Sequence, residues 1–259
     1  MGEVELITND DVQLAVERRG GGPRRVLFAH GWISGRRMWY EVADRLDPAR
    51  FTSYALDFRG AGLSDRPMAG HDLDGYASDL RAALAAVGPA VVVAHSMGAK
   101  VAQYVATERN VAIEKLILVA PGSARAYREA PKQRALAEEV YGSRKRIERF
   151  QRGAMTRLPA PEVMERIVED ALIAQREHWF GWYEHGRSAE FVDRLDRIDV
   201  PTLVVAGEKD PLAPPSRVRR DVVDPIAGAL FVNLRNAGHN LPVETPEELA
   251  AIVERFAAG

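Results

Sequence analysis

Short runs of apolar and β-branched residues recur along the chain, and segments with helical periodicity separate them. Each run is four to six residues long, which suits a buried strand and is too short for a helix. Strands and helices that alternate in this way form βαβ crossovers. The chain is therefore expected to fold as an α/β protein, with a mostly parallel sheet covered by helices on both faces. The runs are residues 26–29, 52–57, 90–94, 115–120, 202–206 and 230–233.

Two further strands are predicted near the amino terminus, where apolar and polar residues alternate in 4–8 and 13–18. The turn residues between them favour an antiparallel hairpin, so the sheet should have about eight strands. A last helix is expected to begin after Thr245, whose side chain should cap it, and to run to about Phe256. The other predicted helices are 38–46, 76–87, 97–108 and 217–223.

One long segment breaks the alternation of strands and helices. Residues 123–197 contain no convincing strand but several charged amphipathic stretches, among them 132–141 and 160–179. Pro159 and Pro161 predict a break between helices inside this segment. The expected organisation is one α/β core, formed by 1–122 and 198–259, with 123–197 inserted as a helical cap.

Charge and composition narrow the range of partners. The chain has 35 basic and 37 acidic residues, so no strong field would attract nucleic acid or anionic lipid. It has no cysteine, and its six histidines lack the spacing of a metal site. No apolar run approaches the roughly 20 residues that span a bilayer. We expect a cytoplasmic protein with a small-molecule substrate and no cofactor, metal, nucleic acid or membrane partner; the sequence leaves its oligomeric state open.

Ser96 lies between a predicted buried strand and a predicted helix, with Ala94 and Gly98 two residues away on either side. This pattern is typical of a nucleophile elbow, a tight turn in which only small neighbours let the strand and the helix approach. A serine hydroxyl needs a nearby base to become nucleophilic, so the motif alone is weak evidence. Two further signals follow strands later in the chain, namely Glu208-Lys209-Asp210 and Gly238-His239-Asn240.

With the order serine, acid, histidine, the chain resembles the α/β-hydrolase superfamily over nearly its full length. The resemblance implies a triad of Ser96 as nucleophile, His239 as base and Asp210 as the acid that orients the histidine. Glu208 is the alternative acid. After the strand at 26–29, the sequence His30-Gly31-Trp32 also matches the family. The resemblance implies that the backbone N–H groups of Trp32 and Met97 form an oxyanion hole.

An aromatic cluster stands out inside the predicted cap. If the cap covers the carboxyl ends of the strands, these rings should contact the apolar part of a substrate. The alternative is that they only hold the cap to the core. The substrate-binding candidates are Trp179, Trp182 and Tyr183.

The resemblance implies a serine hydrolase that acts on a small, largely apolar carboxylic ester through an acyl-enzyme. Carbon–carbon bond hydrolases, lactonases and cofactor-free perhydrolases share this triad, so they stay open as alternatives. A ligand receptor built on the same fold is the alternative outside catalysis.

Overall fold

The computed structural model describes residues 2–127 and 131–259. Eight strands form a single sheet with the order β1-β2-β4-β3-β5-β6-β7-β8 in this part of the chain. The contacts of β1 with β2 and of β2 with β4 are antiparallel, and all the others are parallel. The predicted hairpin and the predicted mostly parallel sheet are therefore confirmed. The strands are β1 (Glu3–Asn9), β2 (Val12–Gly20), β3 (Arg24–Ala29), β4 (Phe51–Leu56), β5 (Ala90–His95), β6 (Ile113–Val119), β7 (Thr202–Gly207) and β8 (Leu230–Leu234).

The central strands bury side chains on both faces, which explains why they read as continuous apolar runs. Along β5, Val92 points into one core cluster, and its neighbours Val91 and Val93 point into the other. Helices α2 (Leu73–Val87) and α3 (Met97–Ala106) cover the first face. Three helices cover the second: α1 (Tyr40–Ala43), α9 (Leu241–Glu244) and α10 (Pro246–Ala258).

Two predicted helices have a different local geometry from the one expected. The predicted helix 38–46 begins inside a 3-10 turn, Arg36–Trp39, that runs into the short α1. The segment 217–223 lies in α8 (Pro215–Val218) and a π-helical turn, Arg219–Val223.

The expectation that the Thr245 side chain caps α10 is wrong, because its hydroxyl donates to the carbonyl of Leu241 at 3.0 Å. Thr245 directly follows α9, so the carbonyl one turn earlier is the nearer partner.

A helical insertion lies between β6 and β7, as expected. It contains α4 (Pro131–Val140), α5 (Arg144–Ala154), α6 (Pro161–Ile173) and α7 (Arg176–Gly181). The break predicted from Pro159 and Pro161 separates α5 from α6. Residues 128–130 of the predicted cap lie outside the described residues, and the division of the chain into two domains stays a prediction. None of the described helices is long and apolar enough to cross a membrane.

Candidate active site

Ser96 occupies a strained turn between β5 and α3. Its φ of 50° and ψ of −108° lie in a region that residues with a side chain rarely adopt. The adjacent Gly98 brings α3 against the end of β3, since a Cβ there would lie 2.5 Å from the carbonyl oxygen of His30. Ala94 is fully buried. The small residues on either side of Ser96 therefore allow the close approach that the sequence pattern predicted.

The close approach at Gly98 leads to a stability prediction. We expect Gly98→Ala to lower the free energy of unfolding by about 1–3 kcal/mol, because the added methyl group meets backbone oxygens that cannot rotate away. Gly153→Ala is the matched control, since a Cβ at this exposed position in α5 meets nothing within 4 Å. Urea unfolding curves of both variants test the difference. Equal destabilisation in the two would contradict the steric argument.

Three strand ends bring Ser96, His239 and Asp210 together. Nε2 of His239 lies 3.0 Å from Oγ of Ser96, and Nδ1 of His239 lies 2.7 Å from Oδ2 of Asp210. The other Asp210 oxygen accepts the backbone N–H groups of Leu212 and Ala213, at 2.7 and 2.8 Å. The three side chains thus form a hydrogen-bonded chain that ends at a hydroxyl.

The surroundings of Asp210 favour its ionised form. Burial alone would raise the pKa of this carboxyl, but the charge of His239 and the hydrogen bonds from His239 and two backbone amides hold its pKa below the ordinary value. An ionised carboxylate is only an acceptor, so it fixes the histidine tautomer with a proton on Nδ1. Nε2 is then free to accept the proton of the Ser96 hydroxyl.

Glu208, the alternative acid, lies apart from the histidine. Its Oε2 accepts the backbone N–H of Asn236 at 2.8 Å, in an exposed hydrogen bond. Asp210 is therefore the carboxylate that contacts His239.

Glu244 lies at the site although no sequence motif points to it. Its carboxylate, in a side chain that is only 6% exposed, accepts four backbone N–H groups. Two come from the loop that carries the histidine, Gly238 and Asn240, each at 2.9 Å. The other two come from the helical insertion, Thr156 at 2.8 Å and Arg157 at 3.0 Å. This carboxylate fastens the insertion to the His239 loop.

Two buried histidines support the backbone around the site. Nδ1 of His30 donates to the carbonyl of Gly31 at 2.8 Å, while its Nε2 accepts the N–H of Phe58 at 3.0 Å. His95 donates from Nε2 to the carbonyl of His239 at 3.0 Å. Burial lowers the pKa of His30 and lowers that of His95 to about 3. Both imidazoles are therefore neutral at neutral pH and hold loops in place.

A cavity of about 260 Å³ opens directly onto Ser96 and His239. Its wall includes Trp32 and Met97, the two residues predicted to supply backbone donors. Of the three predicted aromatic contacts, Trp182 and Tyr183 line this cavity.

Trp179 lies elsewhere. Its side chain is fully buried in the hydrophobic core of the insertion. Its ring packs against Trp32 at a centroid distance of 5.1 Å and against Tyr141 at 5.3 Å, and its Nε1 donates to the carbonyl of Ala137. No group of three or more histidine or acidic side chains in the described ranges is arranged to hold a metal ion.

Comparisons with known proteins identify the family and the fold. Residues 26–252 match the model of a family described as "Alpha/beta hydrolase family". The AB hydrolase superfamily protein YisY of Bacillus subtilis is 28% identical, over 96% of this chain and 97% of its own. A pimeloyl-[acyl-carrier protein] methyl ester esterase of Neisseria meningitidis is 30% identical, over 91% and 94%. Among solved structures, the esterase EaEST from Exiguobacterium antarcticum superposes with a TM-score of 0.89 over the full length of both chains, at 20% identity.

Proposed function

The chain belongs to the alpha/beta hydrolase family, and from this premise we propose that it is a serine hydrolase of small carboxylic esters. In this proposal Ser96 is the nucleophile, His239 the general base and Asp210 the orienting acid. The observation that carries it is the hydrogen-bonded chain of these three side chains at the wall of a cavity.

The proposed reaction has two halves. His239 takes the proton of the Ser96 hydroxyl at Nε2 while Oγ attacks the ester carbonyl carbon, which forms a tetrahedral oxyanion. The intermediate collapses to an acyl-enzyme, and His239 returns the proton to the departing alcohol. Water then attacks the acyl-enzyme, with the same histidine as base, and releases the carboxylic acid. Asp210 stabilises the positively charged imidazole that exists during both halves.

The oxyanion is proposed to bind the backbone N–H groups of Trp32 and Met97. Met97 is the first residue of α3, and the first N–H groups of a helix have no partner inside it and carry partial positive charge. Trp32 precedes Ile33, whose φ of +50° fixes a sharp turn beside the site. Both residues line the cavity next to Ser96.

A pair of substitutions at Trp32 separates its backbone donor from its side chain. Both Trp32→Ala and Trp32→Pro remove the indole, but only proline removes the N–H. We expect kcat of Trp32→Pro to be about 10²–10³-fold below that of Trp32→Ala, the effect of losing one oxyanion donor. Circular dichroism should show that both variants are folded. Similar kcat values in two folded variants would refute the role of this N–H group.

We propose esters as the substrate, and not the other substrates on which this triad acts, because two of the matching proteins are named as esterases. The Neisseria relative is named as a methyl ester esterase, and EaEST is named as an esterase. Carbon–carbon bond hydrolysis, lactone hydrolysis and perhydrolysis use the same residues and are the alternatives. Initial rates with methyl esters, lactones, amides, vinylogous diketones and acetate plus peroxide rank these activities directly. If another substrate class on this panel reacted faster than the esters, that activity would replace ester hydrolysis as the proposed function.

A receptor that binds its ligand without turnover is the alternative outside catalysis. Such a protein would leave every ester on this panel intact. Release of p-nitrophenol from p-nitrophenyl butyrate, measured against the enzyme-free rate, distinguishes the two at once.

A further inference from the structure

The wall of the catalytic cavity carries three cationic side chains, Lys100, Arg187 and Arg217. None of the described residues that line the cavity is an aspartate or a glutamate. The chain as a whole is almost neutral, so this concentration of positive charge is local to the site.

Lys100 is the most buried of the three. It lies on α3, one helical turn after Ser96, and is only 2% exposed. Its Nζ donates to the backbone carbonyls of Arg187 and Ala189, at 3.1 and 2.7 Å. Neutral carbonyls satisfy hydrogen bonds but do not balance a charge, and a buried cation ordinarily has an anionic partner.

Arg36, the other buried cation among the described residues, follows that rule, because it is paired with Glu17 and Asp57. The half-buried Arg59 is likewise paired with Asp79. For Lys100 and Arg217, by contrast, no ion pair is formed with any residue in the described ranges. Among the described residues, Lys100 and Arg217 thus differ from Arg36 and Arg59 in having no carboxylate within ion-pair distance.

Burial and the neighbouring charge of Arg187 lower the pKa of the Lys100 ammonium to about 7, although the charge of Glu190 acts in the opposite direction. An anion that binds next to Lys100 would raise this pKa and so favour the charged form of the lysine.

The two arginines are held in place by neighbouring groups. Arg217 donates to the carbonyl of Leu212, and its guanidinium lies 5.6 Å from the ring centre of Tyr127. The guanidinium of Arg187 lies 4.2 Å from that ring and 4.5 Å from the ring of Tyr183. Contacts with aromatic faces favour the planar cation and limit its motion. An arginine fork fixed in this way suits a carboxylate.

We propose that this cationic wall binds a free carboxylate of the substrate, so that the preferred ester is a monoester of a short dicarboxylic acid. The apolar side chains of Leu136, Phe150, Trp182 and Leu212, which share the cavity, accommodate the hydrocarbon between the two carboxyl groups. This inference rests on the proposed ester hydrolysis. It adds a charged end to the largely apolar substrate that the sequence predicted.

Matched esters test the preference for charge. At pH 7, monomethyl glutarate and monomethyl adipate carry one carboxylate, and their dimethyl esters are the neutral counterparts. We expect kcat/KM for the monomethyl esters to be at least about tenfold that for the dimethyl esters, because a hydrogen bond to a charged group contributes enough free energy for a change of this size. Arg217→Gln and Lys100→Met should each lower this charged-to-neutral ratio about tenfold.

Arg219→Gln is the control for a change in overall charge, because Arg219 is exposed, lies over the ring of Phe231 and does not line the cavity. Its ratio should equal that of the wild type. A wild-type ratio at or below one, or an equal fall in the control, would overturn the proposal. If Lys100→Met does not fold, Arg217→Gln alone decides the question.

A binding measurement separates this inference from the proposed hydrolysis. Glutarate should bind the Ser96→Ala protein in a calorimetric titration, and Arg217→Gln in that background should weaken binding about tenfold. If no ester is hydrolysed but glutarate binds in this way, the hydrolase proposal fails and the carboxylate site stands. If esters are hydrolysed but glutarate does not bind, the carboxylate site fails alone.

Discussion

Ser96→Ala is expected to remove ester hydrolysis, with kcat at least about 10⁴-fold lower. Without Oγ there is no atom 3.0 Å from Nε2 of His239 to attack the carbonyl and form the acyl-enzyme. The same variant should no longer react with a fluorophosphonate, which modifies an activated serine. Release of p-nitrophenol and intact-protein mass spectrometry measure the two losses.

Ser123→Ala is the matched control, since Ser123 also lines the cavity and its hydroxyl accepts the backbone N–H of Arg125. It should keep phosphonate labelling, and its kcat should stay within about tenfold of the wild type, as expected for a residue outside the nucleophile–base pair. Labelling that persisted in Ser96→Ala would remove Ser96 from the role of nucleophile.

Asp210→Asn is expected to lower kcat by about 10⁴-fold. The amide has no charge to stabilise the imidazolium, and its NH₂ group favours the histidine tautomer with the proton on the wrong nitrogen. The fold should survive, because asparagine has nearly the same size and its oxygen can still accept the N–H groups of Leu212 and Ala213. Steady-state kinetics should place the loss in kcat and leave KM within a few-fold.

Glu208→Gln provides the comparison at the neighbouring carboxylate. Glu208 binds the N–H of Asn236 in an exposed position, so its kcat should fall by less than about tenfold. The reverse ranking of the two variants would assign the orienting role to Glu208.

The sheet could be predicted because the central strands are buried on both faces along most of their length, so most of their positions are apolar. The position of Ser96 could be predicted because the elbow restricts the residues around it, of which Gly98 is the most tightly confined. In both cases the physical constraint acts on side-chain type, and side-chain type is what a sequence records.

Glu244 could not be predicted, because its four partners are backbone N–H groups. Every non-proline residue has such a group, so the contact leaves no trace in the sequence of the partner. Two of them, in Thr156 and Arg157, come from a distant part of the chain that only the tertiary fold brings near.

The aromatic cluster shows a different limit. Residues three or four apart share a face of an α-helix, which groups Trp179 with Trp182 and Tyr183. However, α7 ends at Gly181, and a π-helical turn, Trp182–Gly186, follows it directly. The wider turn changes the angle between successive side chains. Trp179 therefore lies in the core of the insertion, while the other two rings line the cavity.

The hydrogen bonds of Glu244 also restrict how the insertion can move to let a substrate reach Ser96. A lid that swung away as a rigid body would have to break the bonds to Thr156 and Arg157, each worth about 1.5–3 kcal/mol for a charged acceptor. It would also pull on the backbone of His239, whose N–H donates to Ala154 at 2.8 Å. The part of the insertion around residues 154–157 is thus fixed to the loop that carries His239. Leu136 and Leu212 line the cavity and are 43% and 42% exposed, so we expect substrate to enter beside these two side chains while His239 keeps its position.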